Sequence, residues 1–503
     1  MTLAPEQSTA DIASTGLAAL RARLAEEMAM LNLPARPWVQ PWEGEAAPDA
    51  DVLVIGAGML GLCATAALRL HGVNSVLCLD RAPAGEEGPW VTFARMNTLR
   101  TAKTATGPAL GLPSLTFRAW FVAQYGAAWD ALDKIPRAQW MDYLNWYRAV
   151  LDLPVRNDSE VTGITPREDG LFDVSVRGEA RPLRARRVIL ATGIDGLGEG
   201  YIPPVVNGVH RRFYAHSAEL IAFDALASKR VGVVGAGASA MDNAATALEA
   251  GAASLDLFVR RPALPAIDKF SGVSSEGLVM GYLGLPDPIK WRIMRYGLDY
   301  PVPAPRDSTR RVFRHANAHL HLASPVLAVR ESGDGIVVRT PHGETELDFL
   351  IFATGFVCTP DSRPELAVIA PALRRWSDRF QPAAGEESAS LGALPDLAAD
   401  FSFQARAPED QGWVSKLYCF SFDATLTHGK LTSGVPALTE AANRLVRGVA
   451  SSLLAEDAER HLDAFRAYDR AELLGDEWRP EQIVAGAVPG SSSGAPAEKG
   501  PAT

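Results

Sequence analysis

Two glycine-rich runs are the residues of this chain best suited to chemistry, Gly56-Ala57-Gly58-Met59-Leu60-Gly61 and Gly235-Ala236-Gly237-Ala238-Ser239-Ala240. Each lies between an apolar strand-like run (DVLVI, RVGVV) and a helix-like one (LCATAALRLHG, MDNAATALEAG). In a strand-turn-helix of this kind the first glycine permits the tight turn and the second lets a pyrophosphate approach the backbone. The third position needs a small residue so that helix and strand can pack, and the helix N-terminus offers unpaired N–H groups to phosphate. The residues that follow separate the two sites. After the first turn the run NSVLCLD ends in Asp80, whose carboxylate can accept hydrogen bonds from a ribose. After the second, SLDLFVRRP ends in Arg260-Arg261. A carboxylate there would repel a 2′-phosphate, whereas guanidinium forks bind one. The first site is therefore expected to hold FAD and the second NADPH, with the alternative that the arginines only close a strand at the surface.

Each glycine turn has a second half. The strand-like RRVIL leads into Ala191-Thr192-Gly193, and LDFLIF leads into Ala353-Thr354-Gly355. Small residues at Thr192, Gly193, Thr354 and Gly355 would leave room for a nucleotide where bulky side chains would collide with it. The repeat predicts an α/β protein with two doubly wound, Rossmann-like dinucleotide-binding domains. In this reading the FAD domain covers 51–205 and 346–450, and the NADPH domain is inserted at 206–345 with an extension at 262–310. Residues 1–50 read as a helical appendage, 451–484 as a C-terminal helical segment, and 485–503, almost wholly Ala, Gly, Ser and Pro, as a disordered tail. Two nucleotide sites on one chain imply hydride passing between cofactors that the protein aligns.

This arrangement resembles the flavin-containing monooxygenase superfamily, the class B flavoprotein monooxygenases, over roughly residues 50–450. The shared features are the two glycine motifs, Phe352-Ala353-Thr354-Gly355-Phe356, and a linker carrying His216-Ser217 ahead of the second motif. The linker departs from the family fingerprint at His210 and Arg212, where Phe and Gly would be expected. The stretch Met96–Trp146 is most similar to the microbial amino-acid N-hydroxylase branch, through Met96-Asn97, Pro113-Ser114-Leu115-Thr116-Phe117 and the pattern Arg137, Trp140, Tyr143, Leu144, Trp146. The resemblance implies Met96 and Asn97 beside the isoalloxazine, Lys103 or Arg100 as anchor for a substrate anion, and Ser217 near the cofactors. Arg95, Arg100 and Lys103 could alternatively meet FAD phosphate or solvent. The resemblance also implies final FAD contacts from the region of His428 and Gly434, where Pro436 opens a helix whose N-terminus could face the flavin. The activity implied is oxygenation of a small soft nucleophile through a flavin C4a-hydroperoxide, above all N-hydroxylation of an amine or amino acid. A flavin oxidoreductase without oxygen transfer, an S-oxygenating relative and a Baeyer–Villiger relative stay open.

Bulk properties limit the partners. A formal charge of −10 argues against nucleic acid and anionic lipid. No apolar run is long enough to span a bilayer, and the N-terminus lacks secretory features, which predicts a cytoplasmic enzyme. The four cysteines form no C-x-x-C pair, so no dithiol is expected to take electrons from the flavin. His315, His319 and His321 lack carboxylate or thiolate company, and no metal is expected. The partners are a small-molecule substrate and O2, with homo-oligomerisation left open.

Overall fold

Two sheets, one mostly and one wholly parallel, carry the two glycine turns. A computed structural model describes residues 9–429, 434–474, 476–482 and 484; the expected tail at 485–503 lies outside the described residues. In the first sheet the strand Ala50–Ile55 lies between Val76–Leu79 and Leu183–Leu190, with Val54 opposite both Cys78 and Ile189. Val155–Arg156 extends one edge, and Leu417–Cys419 pairs in parallel with Leu183–Leu190. An antiparallel pair, Val161–Pro166 and Phe172–Val176, completes the other side. The second sheet is wholly parallel, in the order Tyr214–His216, Phe349–Phe352, Arg230–Val234, Ser254–Phe258, Ala318–His321. It is built entirely from residues 214–352, whereas the first sheet takes a strand from beyond them. A three-stranded antiparallel sheet spans 328–347.

The central strands read as continuous apolar runs because both of their faces are covered. Val52, Leu53, Val54, Val188, Ile189 and Leu190 are buried in one core, and Val231, Val233, Leu255, Leu257 and Ile351 in another. The N-terminal helix Thr9–Met30 packs against the helix Phe117–Tyr125, burying Leu20 and Leu24 in a third core of Phe117, Trp120, Trp140 and Tyr143. Contact at Gly16 is so close that a Cβ there would stand 1.7 Å from the Ala123 carbonyl. Ser114 fixes the join, accepting from Arg23 at 2.8 Å and donating to Glu27 at 2.7 Å. The described residues up to Glu456 form one compact unit, which ends with the helix Leu438–Glu456. The second unit, from Asp457, contains the helix Ala458–Ala467.

One central strand breaks the apolar rule. Arg186 and Arg187 are buried in Leu183–Leu190 and meet Glu456, Arg187 at 2.8 Å and Arg186 at 3.2 Å. Burial opposes the charge of Glu456, but Arg187, Lys416 and Arg186 outweigh it and hold the carboxyl at about 2. Removing Glu456 takes the carboxylate from buried Arg187 and leaves Arg186 with Asp51 at 3.4 Å, so Glu456→Gln is expected to cost about 3–5 kcal/mol, read by chemical denaturation of the holoenzyme. Because the folded-state value is depressed, this stabilisation is complete above the ordinary glutamate range and is lost as pH falls from there towards 2. The variant should therefore show a shallower acid-melting profile than the parent.

Candidate functional site

The first glycine turn is shaped by close approaches that only glycine allows. Gly56 has φ +101°, and a Cβ there would stand 2.5 Å from the Ala191 carbonyl. At Gly61 a Cβ would lie 1.7 Å from the Gly56 carbonyl, so the helix Met59–Leu70 can meet its strand only without a side chain. Gly58 is different: its Cβ would meet only Gly88, at 3.7 Å, leaving an opening between the two backbones. Asp80 closes the turn, with Oδ2 accepting from Ala57 N–H at 2.6 Å and Oδ1 from Ala82 N–H at 2.8 Å. Each oxygen keeps lone-pair capacity for a ribose hydroxyl. Gly193 has open space around its missing side chain, while the Thr192 hydroxyl donates to Gly196 at 2.7 Å. Two indole N–H groups close by, on Trp90 and Trp140, are buried without an acceptor among the described residues. A Cβ on Gly88 would lie 3.8 Å from the Trp90 ring, and one on Gly107 would lie 3.2 Å from Trp140. Open glycine backbones beside unsatisfied donors fit a pyrophosphate-bearing cofactor such as FAD.

The second turn repeats the design. Gly235 has φ +142° and would place a Cβ 2.6 Å from the Ala353 carbonyl. Gly237 faces open space, and Ala240 is fully buried where the helix Ala238–Glu249 meets the turn. Thr354 donates its hydroxyl to the Tyr201 carbonyl, and Gly355 accepts from Tyr201 N–H at 2.8 Å. The linker is tied to the same point. His216 Nε2 lies 3.0 Å from the Gly355 carbonyl, its Nδ1 accepts from Ala218 N–H at 3.2 Å, and Ser217 N–H donates to Phe352 at 2.9 Å. Burial lowers the pKa of His216, in keeping with a neutral ring protonated at Nε2. Arg260 is exposed and forms no ion pair among the described residues, whereas Arg261 donates to the Asp299 carbonyl at 3.0 Å. An open glycine turn with a carboxylate-free arginine at the next strand's end fits NADPH.

The segment 96–146 is placed less simply. Met96 is half-buried and Asn97 exposed, the latter fixed through its carbonyl, which accepts from Arg137 N–H at 3.0 Å. The ammonium of Lys103 donates to the Trp129 carbonyl at 2.7 Å and lies over the Trp129 ring, and Arg100 donates to the Pro303 carbonyl at 2.9 Å. Neither forms an ion pair with a carboxylate among the described residues, but both spend donors on backbone carbonyls. His428 is buried, stacked on Phe401 at 3.6 Å, with Nε2 3.0 Å from the Ala398 carbonyl. Burial pushes its pKa down to about 3, so the ring is neutral. Gly434 caps the 3-10 turn Val435–Ala437 that leads into the helix from Leu438.

Three features were not evident from local sequence: Gly88 facing Gly58, the Trp90–Trp140 pair, and Arg311, which reaches across to the Arg95 carbonyl at 3.2 Å. Gly88-Pro89-Trp90 had no motif to flag it, and Arg311 lies in a polar helix, Arg306–Phe313, that reads as a solvated surface. Of the three clustered histidines, His321 does have a carboxylate partner, contrary to expectation: it pairs with Asp256 at 2.8 Å and stacks on Phe258. Among the described residues no group of three His, Cys, Asp or Glu side chains could hold a metal ion, and no helix is long and apolar enough to cross a membrane. All four cysteines are unpaired; Cys63, Cys78 and Cys419 are buried and Cys358 is half-buried. Burial raises the pKa of each, that of Cys78 to about 12.

The model of the pyridine nucleotide-disulphide oxidoreductase family matches residues 53–270. The FAD-dependent urate hydroxylase of Xanthomonas campestris is 43% identical over 472 residues, which is 93% of this chain and 100% of that protein. The fold is similar to that of the ornithine hydroxylase of Pseudomonas aeruginosa, with a TM-score of 0.63 and 16% identity over 80% of this chain and 99% of that one. It is similar also to the L-lysine 6-monooxygenase of Pseudomonas syringae, with a TM-score of 0.62 and 19% identity over 80% and 99% of the two chains.

Proposed function

Because this chain belongs to the FAD-dependent monooxygenases, as an oxidoreductase that uses FAD and NADP(H), we propose that its reaction is the hydroxylation of urate. The supporting observation is the 43% identity to a urate hydroxylase, sustained through the whole of that relative. Likeness to the ornithine and lysine hydroxylases is confined to fold, at 16% and 19% identity.

When bound, FAD supplies hydride acceptance from the nicotinamide and activation of O2. The chain must then hold and orient the partners and keep water out. The Gly56–Gly61 turn and the Gly58–Gly88 opening would hold the FAD pyrophosphate, with Asp80 at the ribose and the Trp90 and Trp140 indoles donating into the cofactor space. The Gly235–Ala240 turn would hold the NADPH pyrophosphate, with Arg260 and Arg261 on the 2′-phosphate. Neutral His216 ties the linker to the end of the second nucleotide strand through Gly355, which suits it to positioning rather than proton transfer. His428, neutral and stacked on Phe401, would support the flavin end of the site by packing. The four cysteines form no disulfide that could accept electrons from the flavin, and burial disfavours their thiolates. In the overall reaction urate, O2, NADPH and a proton give hydroxylated urate, NADP+ and water.

The test is NADPH oxidation by the purified holoenzyme with urate, ornithine, lysine and an aliphatic diamine, followed by product analysis. Urate is expected to stimulate NADPH oxidation and to be consumed in step with it. Stimulation by the amines alone, with hydroxylamine products, would replace this reading by N-hydroxylation.

A further inference from the structure

Three arginines converge between the two glycine turns without a matching set of carboxylates. Arg311 is committed: it grips Glu249 at 2.7 and 3.0 Å, reaches Asp242 at 3.5 Å, and donates to the Arg95 carbonyl at 3.2 Å. Arg137 opens the helix Arg137–Val150, and its guanidinium donates to the Trp90 carbonyl. Arg95 lies 5.2 Å over the Phe223 ring, donates to the Thr92 carbonyl, and has its Nε buried without an acceptor among the described residues. Neither Arg95 nor Arg137 forms an ion pair among the described residues; the nearby Asp242 pairs with Arg311 instead. Burial and the neighbouring positive charges lower the pKa of both.

Partly desolvated guanidiniums without a counter-ion are costly, and an anion that brings its own acceptors relieves the cost. Besides Arg95 Nε, the amide oxygen of Gln139, on the helix that Arg137 opens, is buried without a partner among the described residues. The Trp90 and Trp140 indole rings stand 6.1 Å apart and nearly edge to face. The contacts also place this group with respect to both nucleotides. Trp90 adjoins Gly88, which faces Gly58 of the first turn, while Arg95 is held by Arg311, whose partners Asp242 and Glu249 lie on the helix that starts at the second turn.

We propose that Arg95 and Arg137 form the binding site for the anionic edge of the organic substrate, a planar heterocyclic amidate, with Arg311 holding Arg95 in place. This rests on the urate reading, since urate at neutral pH is a planar monoanion with amide N–H donors and carbonyl acceptors around its rim. A guanidinium fork matches the two acceptors of an amidate edge as it matches a carboxylate, and Gln139 Oε1 can take an N–H from the same ring. The same arginines could instead serve a phosphate of NADPH, and the experiment separates the two.

Arg95→Gln and Arg137→Gln holoenzymes are compared with the parent and with Arg177→Gln, a surface control. Urate affinity is read from the perturbation of flavin absorbance in the absence of NADPH, and KM is measured for urate and for NADPH. Losing a charge-assisted hydrogen bond is expected to raise Kd and KM for urate about 10- to 150-fold, with the KM for NADPH changed less than about twofold. Should either glutamine variant lose FAD, Arg95→Lys and Arg137→Lys keep the charge without the fork, and a rise in urate Kd at full flavin content supports the site. Unchanged urate Kd in the flavin-replete variants, or a KM for NADPH that rises as much as that for urate, overturns it. If the parent binds urate with this arginine dependence yet forms no hydroxylated product, the substrate reading fails while the anion site stands. If product forms and the variants bind urate normally, the site fails while the reading stands.

Discussion

Gly58→Val should fold yet emerge from purification nearly colourless, whereas Gly61→Ala should be damaged in the fold itself. The difference follows from what each new side chain meets. At Gly61 even a methyl group would stand 1.7 Å from the Gly56 carbonyl, which forces helix and strand apart. At Gly58 the Cβ meets only the Gly88 backbone, at 3.7 Å, so the chain tolerates it, but a branched side chain fills the opening that a pyrophosphate would need. Losing two or three charge-assisted hydrogen bonds, at about 1.5–3 kcal/mol each, weakens FAD binding roughly a hundredfold or more. The ratio of flavin to protein absorbance measures the loss, and the far-ultraviolet circular dichroism of Gly58→Val should stay that of the parent. A full complement of FAD in Gly58→Val would place the cofactor elsewhere.

The second large effect is expected in coenzyme choice. Replacing Arg260 and Arg261 together by alanine should raise the KM for NADPH about 10- to 150-fold and leave that for NADH nearly unchanged. Arg260 is exposed with no ion pair among the described residues, so its guanidinium can turn to a 2′-phosphate without breaking a salt bridge. Arg261 is already oriented by the Asp299 carbonyl at 3.0 Å, which lowers the entropy lost when it closes on a ligand. Steady-state kinetics with both coenzymes decide the matter, and an equal loss with NADH would make the arginines structural.

The parts legible in the sequence are those whose meaning is local. A glycine turn, the strand before it and the strand-end residue after it lie within a few tens of residues, and their order alone predicts two nucleotide-binding sheets. The close approaches at Gly56, Gly61 and Gly235 give that pattern its physical cause. What depends on distant segments meeting was hidden. Arg95, Arg137 and Arg311 come from a loop, a helix start and a polar helix of the other sheet; Arg137 belongs to the N-hydroxylase-like pattern and Arg95 to the cations that could meet FAD phosphate, but their meeting with Arg311 depends on the fold. The buried pair Arg186-Arg187 sits in a run that otherwise reads as an apolar strand, because its counter-charge, Glu456, arrives from the end of a late helix. The resemblance gives Lys103 and Arg100 only a position in the sequence, and their partners, the carbonyls of Trp129 and Pro303, depend on how the chain folds back.

Oxygen delivery to an organic substrate is the centre of this account, and isotope labelling tests it most directly. The holoenzyme is supplied with NADPH and urate under 18O2 in unlabelled water, and the product is analysed by mass spectrometry together with the yield of hydrogen peroxide. A monooxygenase places one labelled oxygen atom in each molecule of product and reduces the other to water, with NADPH, O2 and urate consumed in equal amounts. Unlabelled urate recovered intact, with the labelled oxygen appearing as hydrogen peroxide in step with NADPH, would make the protein an oxidase.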